Sequence, residues 1–140
     1  MSQENVEIVR RGYQALNENG VEAVLPFLDP DFQMEISPEV GPEPQTVSGH
    51  DGVRRWFSAA SDVLDVLRIE PEELIDAGDR VVVPVRIIAR GRGSGAESEQ
   101  RVIQVWTLRG GRSVQMNSYI DRKAALKAVG LSEQDAQAES

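Results

Sequence analysis

The chain contains no cysteine, which excludes disulfides, thiolate nucleophiles and sulfur-ligated metals. Its single histidine, His50, rules out any multi-histidine metal site. No cofactor and no metal are therefore expected. Positive charge is also scarce: 15 Lys and Arg stand against 23 Asp and Glu, a net charge of −8. That sign repels phosphate backbones and anionic lipid, so neither nucleic acid nor a membrane surface is expected as a partner. No apolar run approaches the ~18 residues of a membrane span, and the opening MSQENVEIVRR is polar and acidic where a secretory signal is basic and then apolar. The expectation is a soluble, cytoplasmic protein. Repeats and low-complexity tracts are missing too, as is any high-specificity catalytic motif.

What is present suits one domain. The 140 residues are 40% hydrophobic and 27% charged, ordinary values for a chain that buries a core. Val6, Val9, Tyr13 and Leu16 form a helical stripe between Ser2, a candidate N-cap, and Gly20. A short second helix, VEAVLPFL, is limited by Pro26 and expected to stop at Asp29-Pro30-Asp31. In FQMEIS the apolar residues Phe32, Met34 and Ile36 alternate with polar ones, the period of a half-buried strand. PEVGPEPQTVSG is expected to be loop. A long helix is predicted from His50 to about Leu67, with Val53, Trp56, Phe57, Ala60, Leu64 and Leu67 on one face.

Strand periodicity follows in RIEPEELIDAG, RVVVPVRIIAR, QRVIQVWTLRG and SVQMNSYID, separated by glycine-containing turns, which predicts an antiparallel meander. Gly110-Gly111 is a hairpin signal. Pro84 cannot donate to a ladder and marks an edge or a bulge. Asp121 precedes a short helix, RKAALKAVG, and residues 132–140 read as a polar tail that frays. Helices segregated to one side of an antiparallel sheet make an α+β fold.

Over about residues 4 to 131 the chain resembles the SnoaL-like polyketide cyclase and ketosteroid isomerase members of the nuclear transport factor 2-like superfamily. The carriers are IVRRGYQALNENG, LDPDF, SGHDGVRRWF, VWTLRGGRSVQM and YIDRKAALKAVGL, in that order and spacing. The resemblance implies a single domain over residues 1–131. It further implies a cone-shaped curved sheet wrapped around the N-terminal helices and the long helix, a mostly apolar cavity, and a homodimer through the sheet's outer face. It also implies a hydrophobic small-molecule ligand. The superfamily hosts many activities, so fold alone does not choose between them.

The isomerase pattern is incomplete here. Ser37 stands where the resemblance places the catalytic Asp, and serine removes no proton from carbon without a base of its own. Gly12, one residue short of Tyr13, aligns with the isomerase tyrosine, which leaves Tyr13 as a core residue with its hydroxyl at the rim. Gln104 takes the place of a protonated Asp; its amide still donates, and between Val102 and Trp106 it either orients a ligand carbonyl or is a glutamine of an edge or dimer face. Glu35, if turned inward, would be desolvated and basic, whereas strand alternation assigns it to solvent. Asp121 matches an acid/base aspartate of some cyclases and is equally an N-cap.

Arg86, in an otherwise apolar strand, either clamps a ligand carboxylate or pairs on the outer face. His50 and Asp51 sit at a helix start and do not face each other. The resemblance places Trp56, Trp106 and Met116 along the cavity, where they either shape a pocket for a flat or hydrophobic ligand or simply pack the core. Two readings follow: cofactor-independent isomerase, cyclase or lyase-like acid/base chemistry on a cyclic or carbonyl compound, or a non-catalytic carrier or dimerisation module.

Overall fold

The computed structural model describes residues 2–36 and 45–139. Helix α1 (Ser2–Asn19) turns at Gly20 into α2 (Val21–Val24) and a 3-10 turn, Leu25–Phe27, which holds Pro26. Strand β1 (Leu28–Ile36) and the short β2 (Gln45–Ser48) precede α3 (Gly49–Val63). Then come β3 (Leu64–Pro71), β4 (Ile75–Ala77), β5 (Arg80–Gly91), β6 (Glu97–Arg109) and β7 (Arg112–Tyr119). Helices α4 (Arg122–Ala128) and α5 (Glu133–Glu139) end the chain.

The seven strands form one curved, unclosed sheet in the order β2-β1-β7-β6-β5-β3, with β4 also on β5. The fold is α+β, as expected, and the meander β5-β6-β7 is antiparallel. One pairing departs from it: β1 runs parallel to β7. Both glycines of the β6–β7 turn have positive φ, 61° for Gly110 and 83° for Gly111, the requirement of a two-residue hairpin turn whose twist matches its strands.

The run Val81-Val82-Val83 is buried without alternation because both faces of β5 are covered there. Val81 and Val83 pack with Val9 and Tyr13 of α1, while Val82 packs with Leu126 of α4 and Ala136 of α5. Alternation returns at Pro84 and Arg86, beyond the reach of α4 and α5. Pro84 is neither at an edge nor in a bulge. It lies in β5 between the stretch paired with β4 (Arg80–Val82) and that paired with β3 (Val85–Gly91). Its carbonyl accepts from the Glu72 amide at 2.9 Å, so its missing N–H faces the gap between those partners, where no ladder bond is lost.

Four expected boundaries moved. Asp29-Pro30-Asp31 lies inside β1, where pairing with β7 lapses between Leu28 and Gln33 and leaves proline's missing donor unneeded. Residues 45–48 of the expected loop are β2, paired with Gln33–Ile36. Helix α3 stops at Val63, because Leu64 onward pairs with β5 and tertiary pairing overrides a stripe that suits either structure. RIEPEELIDAG is divided between β3 and β4 rather than forming one strand.

The expected frayed tail is helical instead. The Ser132 hydroxyl accepts from the Asp135 amide while the Asp135 carboxylate accepts from the Ser132 amide, a reciprocal cap. Ala136 is fully buried in the cluster beneath α4. Arg122 bridges Glu73 at 3.0 Å and Glu133 at 2.7 Å. At the opposite side of the molecule the Asn17 side chain donates to the Ile69 carbonyl at 2.8 Å and accepts from the Ile69 amide at 3.1 Å, tying α1 to β3.

Candidate functional site

The concave face of the sheet, α1 and α3 enclose an apolar inner cavity of about 60 Å³, lined among others by Val9, Tyr13, Phe32, Phe57, Trp106 and Met116. It adjoins a wider vestibule of about 310 Å³, lined by Trp56, Leu67, Ile87, Val102 and Ser118 among others. Met34, Phe57, Ile69, Gln104 and Met116 border both. Strand alternation is what aims these side chains inward: Val102, Gln104, Trp106 and Leu108 share one face of β6, and Met116 and Ser118 share one face of β7 opposite Trp106 and Gln104.

Three side chains make a hydrogen-bonded chain across the cavity wall. The Trp106 indole Nε1–H donates to the Tyr13 hydroxyl at 2.7 Å, and that hydroxyl donates to Gln104 Oε1 at 2.6 Å. Indole nitrogen donates only, so the tyrosine proton is free to go to glutamine, and the carboxamide is thereby oriented with its oxygen toward Tyr13. The amide nitrogen is left over. Gln104 is only 6% exposed, and among the described residues its NH2 has no hydrogen-bond partner. The rings lock the arrangement: Tyr13 meets Trp106 edge-on at 5.8 Å and Phe32 stacks on Trp106 at 6.0 Å.

Burial pushes the Tyr13 phenol far above its usual range, against the smaller opposing pull of the Trp106 hydrogen bond. Tyr13 is thus a neutral donor at physiological pH. Above pH ~10 an unfolded tyrosine ionises while the buried one does not, so the unfolded state holds fewer protons. The stabilisation from neutral Tyr13 is complete below that pH and declines as pH rises past it. The urea midpoint of the wild type should fall more steeply between pH 9 and 11 than that of Tyr13→Phe; equal slopes would mean that the Tyr13 phenol ionises alike in the folded and unfolded states.

The other expected residues are dispersed. Trp56 lines the vestibule and meets Phe57 edge-on at 4.9 Å. Glu35 is exposed on the outer face of β1, where it accepts from Asn117 at 3.2 Å, because Met34 and Ile36 take the inward positions. Asp121 caps α4 by accepting from the Lys123 amide at 3.0 Å. The structure therefore corrects the expectation of an inward carboxylate at either position. Arg86 is also outside the cavity: Val85 and Ile87 face inward, and Arg86 pairs with Glu70 at 2.9 Å and Glu99 at 3.7 Å. Hydrogen bonds from Arg86 and then Arg68 hold the Glu70 carboxyl below its usual range. His50 Nε2 lies 2.9 Å from the Leu28 carbonyl, fastening the start of α3 to β1. Ser37 lies outside the described residues.

Several lining residues escaped the sequence reading, among them Gln45 and Gln100 of the vestibule and Ser118, Ser113 and Ile69. Ser118 carried a signal, two positions from Met116 on one strand face. Ser113, buried and lining the inner cavity, did not, because a register shift between Thr107 and Leu108 breaks the alternation there. Ile69 was hidden by the expected continuation of α3 toward Leu67. Among the described residues no carboxylate or imidazole lines either cavity, and no cluster of three such groups is placed to hold a metal ion. What the site offers is mostly apolar surface with the Gln104 amide held by Tyr13 between the two cavities, and Gln45, Gln100 and Ser118 as further polar lining of the vestibule.

Comparison with known proteins agrees with this architecture. TerC, crystallised with polyporic acid, is 25% identical and superposes with a TM-score of 0.74 over 90% of this chain and 98% of its own. A nuclear transport factor 2-like protein of unknown function from Burkholderia pseudomallei is 23% identical, with a TM-score of 0.73 over 91% and 98% of the two chains. A putative SnoaL-like polyketide cyclase from Jannaschia is 20% identical, with a TM-score of 0.70 over 91% and 92%. No protein of curated function matches. The family model for the SnoaL-like domain matches residues 9–116, from the middle of α1 to the cavity residue Met116 on β7, and the chain belongs to that family.

Proposed function

We propose that the cone binds a hydrophobic small molecule bearing a carbonyl group, with the Gln104 amide donating to the carbonyl oxygen and aromatic side chains packing on the ligand's faces. The carrying observation is Gln104, a residue 6% exposed in a mostly apolar cavity, whose amide nitrogen has no partner among the described residues. A buried donor left unmatched costs about 1–3 kcal/mol, so an acceptor supplied by a ligand recovers free energy that a purely hydrocarbon ligand would not. The crystallisation of a relative of the same fold with polyporic acid supports a small organic occupant.

Binding is the function this geometry supports best. A neutral donor on a carbonyl oxygen also stabilises charge developing there, the electrophilic half of isomerase, cyclase or lyase chemistry. Proton removal requires a base as well, and the described lining holds none. Catalysis is accordingly the second reading, favoured by the same amide. The net charge of −8 argues against nucleic acid as a partner. On the open part of the outer sheet face Arg68, Glu70, Arg86 and Glu99 alternate in sign, a self-complementary pattern that supports a second copy of the chain as partner.

A matched pair of probes tests the binding reading: 1-tetralone, and tetralin, which lacks the oxygen. Titration followed by tryptophan fluorescence should show tighter binding of the ketone to the wild type. In Gln104→Leu the ketone should weaken about tenfold while the hydrocarbon changes little. Equal affinities of the wild type for both compounds would remove Gln104 from recognition.

A further inference from the structure

We propose that Phe57 of α3 is a partition that sets the length of ligand the cone accepts, separating the cavities from a groove between α2 and α3 that would otherwise extend them. The proposal rests on the binding reading above. The groove has a volume of about 500 Å³, with Leu16, Val21, Ala60, Leu64 and Leu67 as apolar lining. Phe57 and Ile69 line the inner cavity, the vestibule and the groove alike, and Leu16 lines both the groove and the inner cavity. The same side chains therefore form opposite sides of one wall.

Of these, Ile69 is a strand residue held by Asn17 through its own backbone amide and carbonyl. Phe57 is half-buried, set edge-on against Trp56, and fills the wall with a ring. Arg54 on α3 bonds Glu22 of α2 at 2.7 Å and Asp51 of its own helix at 2.7 Å, pinning one helix to the other independently of the Phe57 ring. A ligand with its carbonyl at Gln104 then has two possible extents. With Phe57 in place its apolar body ends inside the cone; with the ring removed an alkyl tail continues along apolar groove lining. The ligand class so selected is a compact ketone, with long-chain ketones excluded.

The test uses phenyl n-alkyl ketones from acetophenone to decanophenone, titrated by tryptophan fluorescence. In the wild type each methylene should tighten binding up to about fourfold, with the gain stopping at a short chain. In Phe57→Ala the gain should continue to longer chains, so that the affinity of the longest ketones relative to acetophenone rises tenfold or more over the wild-type ratio, whatever the loss of the ring does to acetophenone itself. Adding Ala60→Phe, which fills the groove from the helix surface, should return the wild-type limit. Should Phe57→Ala fail to fold by circular dichroism, Phe57→Leu should shift the limit by fewer methylenes. Absence of binding by every ketone to the wild type would overturn the binding reading itself. Binding of acetophenone with no wild-type limit, an unmoved limit in the Phe57 variant, or no effect of Ala60→Phe would overturn the partition alone.

Discussion

Tyr13→Phe should cost about 2–4 kcal/mol of stability in urea denaturation, although it removes a single oxygen. The reason lies in what the hydroxyl leaves behind. It accepts from Trp106 at 2.7 Å and donates to Gln104 at 2.6 Å, so its loss strands an indole N–H and an amide carbonyl together. Each unsatisfied buried group costs about 1–3 kcal/mol. Trp106 is only half-buried and sits at the low end of that range, whereas Gln104 is buried and sits higher. The phenyl ring keeps its edge-on contact, so no cavity term adds. A double-mutant cycle separates the two parts: once Gln104 is leucine, Tyr13→Phe should cost at least 1 kcal/mol less, because no carbonyl is then abandoned. A loss below about 1 kcal/mol in the single variant would mean that water replaces the hydroxyl and that the relay is not what orients Gln104.

The second large effect is expected far from the cavity. Leu126→Ala should destabilise the fold by about 2–5 kcal/mol, toward the upper part of that range. Leu126 is 1% exposed and packs with Val82, Ile103 and Val105 of the sheet and with Val129 and Ala136. Two central strands form the floor of this cluster, and a floor tied by ladder bonds on both sides cannot sink to fill the space a leucine vacates. Val63→Ala is the control: Val63 is 63% exposed, and the change should stay within about 0.5 kcal/mol. Hydrogen exchange should also show α5 opening more readily in Leu126→Ala, since Ala136 docks into the same cluster. Loss of less than 1 kcal/mol would show that α4 and α5 are an appendage rather than the cover of the sheet.

Much of this architecture was legible because period and environment agree. Val9, Tyr13 and Leu16 mark a helix that has one buried face, and Phe32, Met34 and Ile36 mark a strand with one. Gly110-Gly111 occupies a turn that demands positive φ twice. Beside Val102 and Trp106 the sequence left Gln104 open between an inward and an outer position, and strand alternation, applied to Val85 and Ile87, turns Arg86 outward.

What escaped was decided by partners distant in sequence. Leu64 and Leu67 extend a helical stripe and equally suit a strand, and the choice is made by β5. The parallel contact of β1 with β7 has no local signature, nor does the register shift that brings Ser113 to the cavity. In α5 the buried Ala136 sits in a mostly polar sequence that conceals it. The idea of a carboxylate at the site came from resemblance; alternation for Glu35 and the cap position for Asp121 already pointed elsewhere.

The Asn17 carboxamide has a consequence for how copies of this protein coexist at high concentration. Strand β3 is a border of an open sheet, and such a border is a template on which another extended chain can add and begin a fibril. Ile69 turns its amide and carbonyl outward there, and a side chain from α1 occupies both, imitating one residue of a neighbouring strand. The border is blocked by a piece of the same molecule, at the cost of one polar residue and without introducing charge beside an apolar cavity. A helix that shapes the site thus also guards the protein against polymerising through its own sheet.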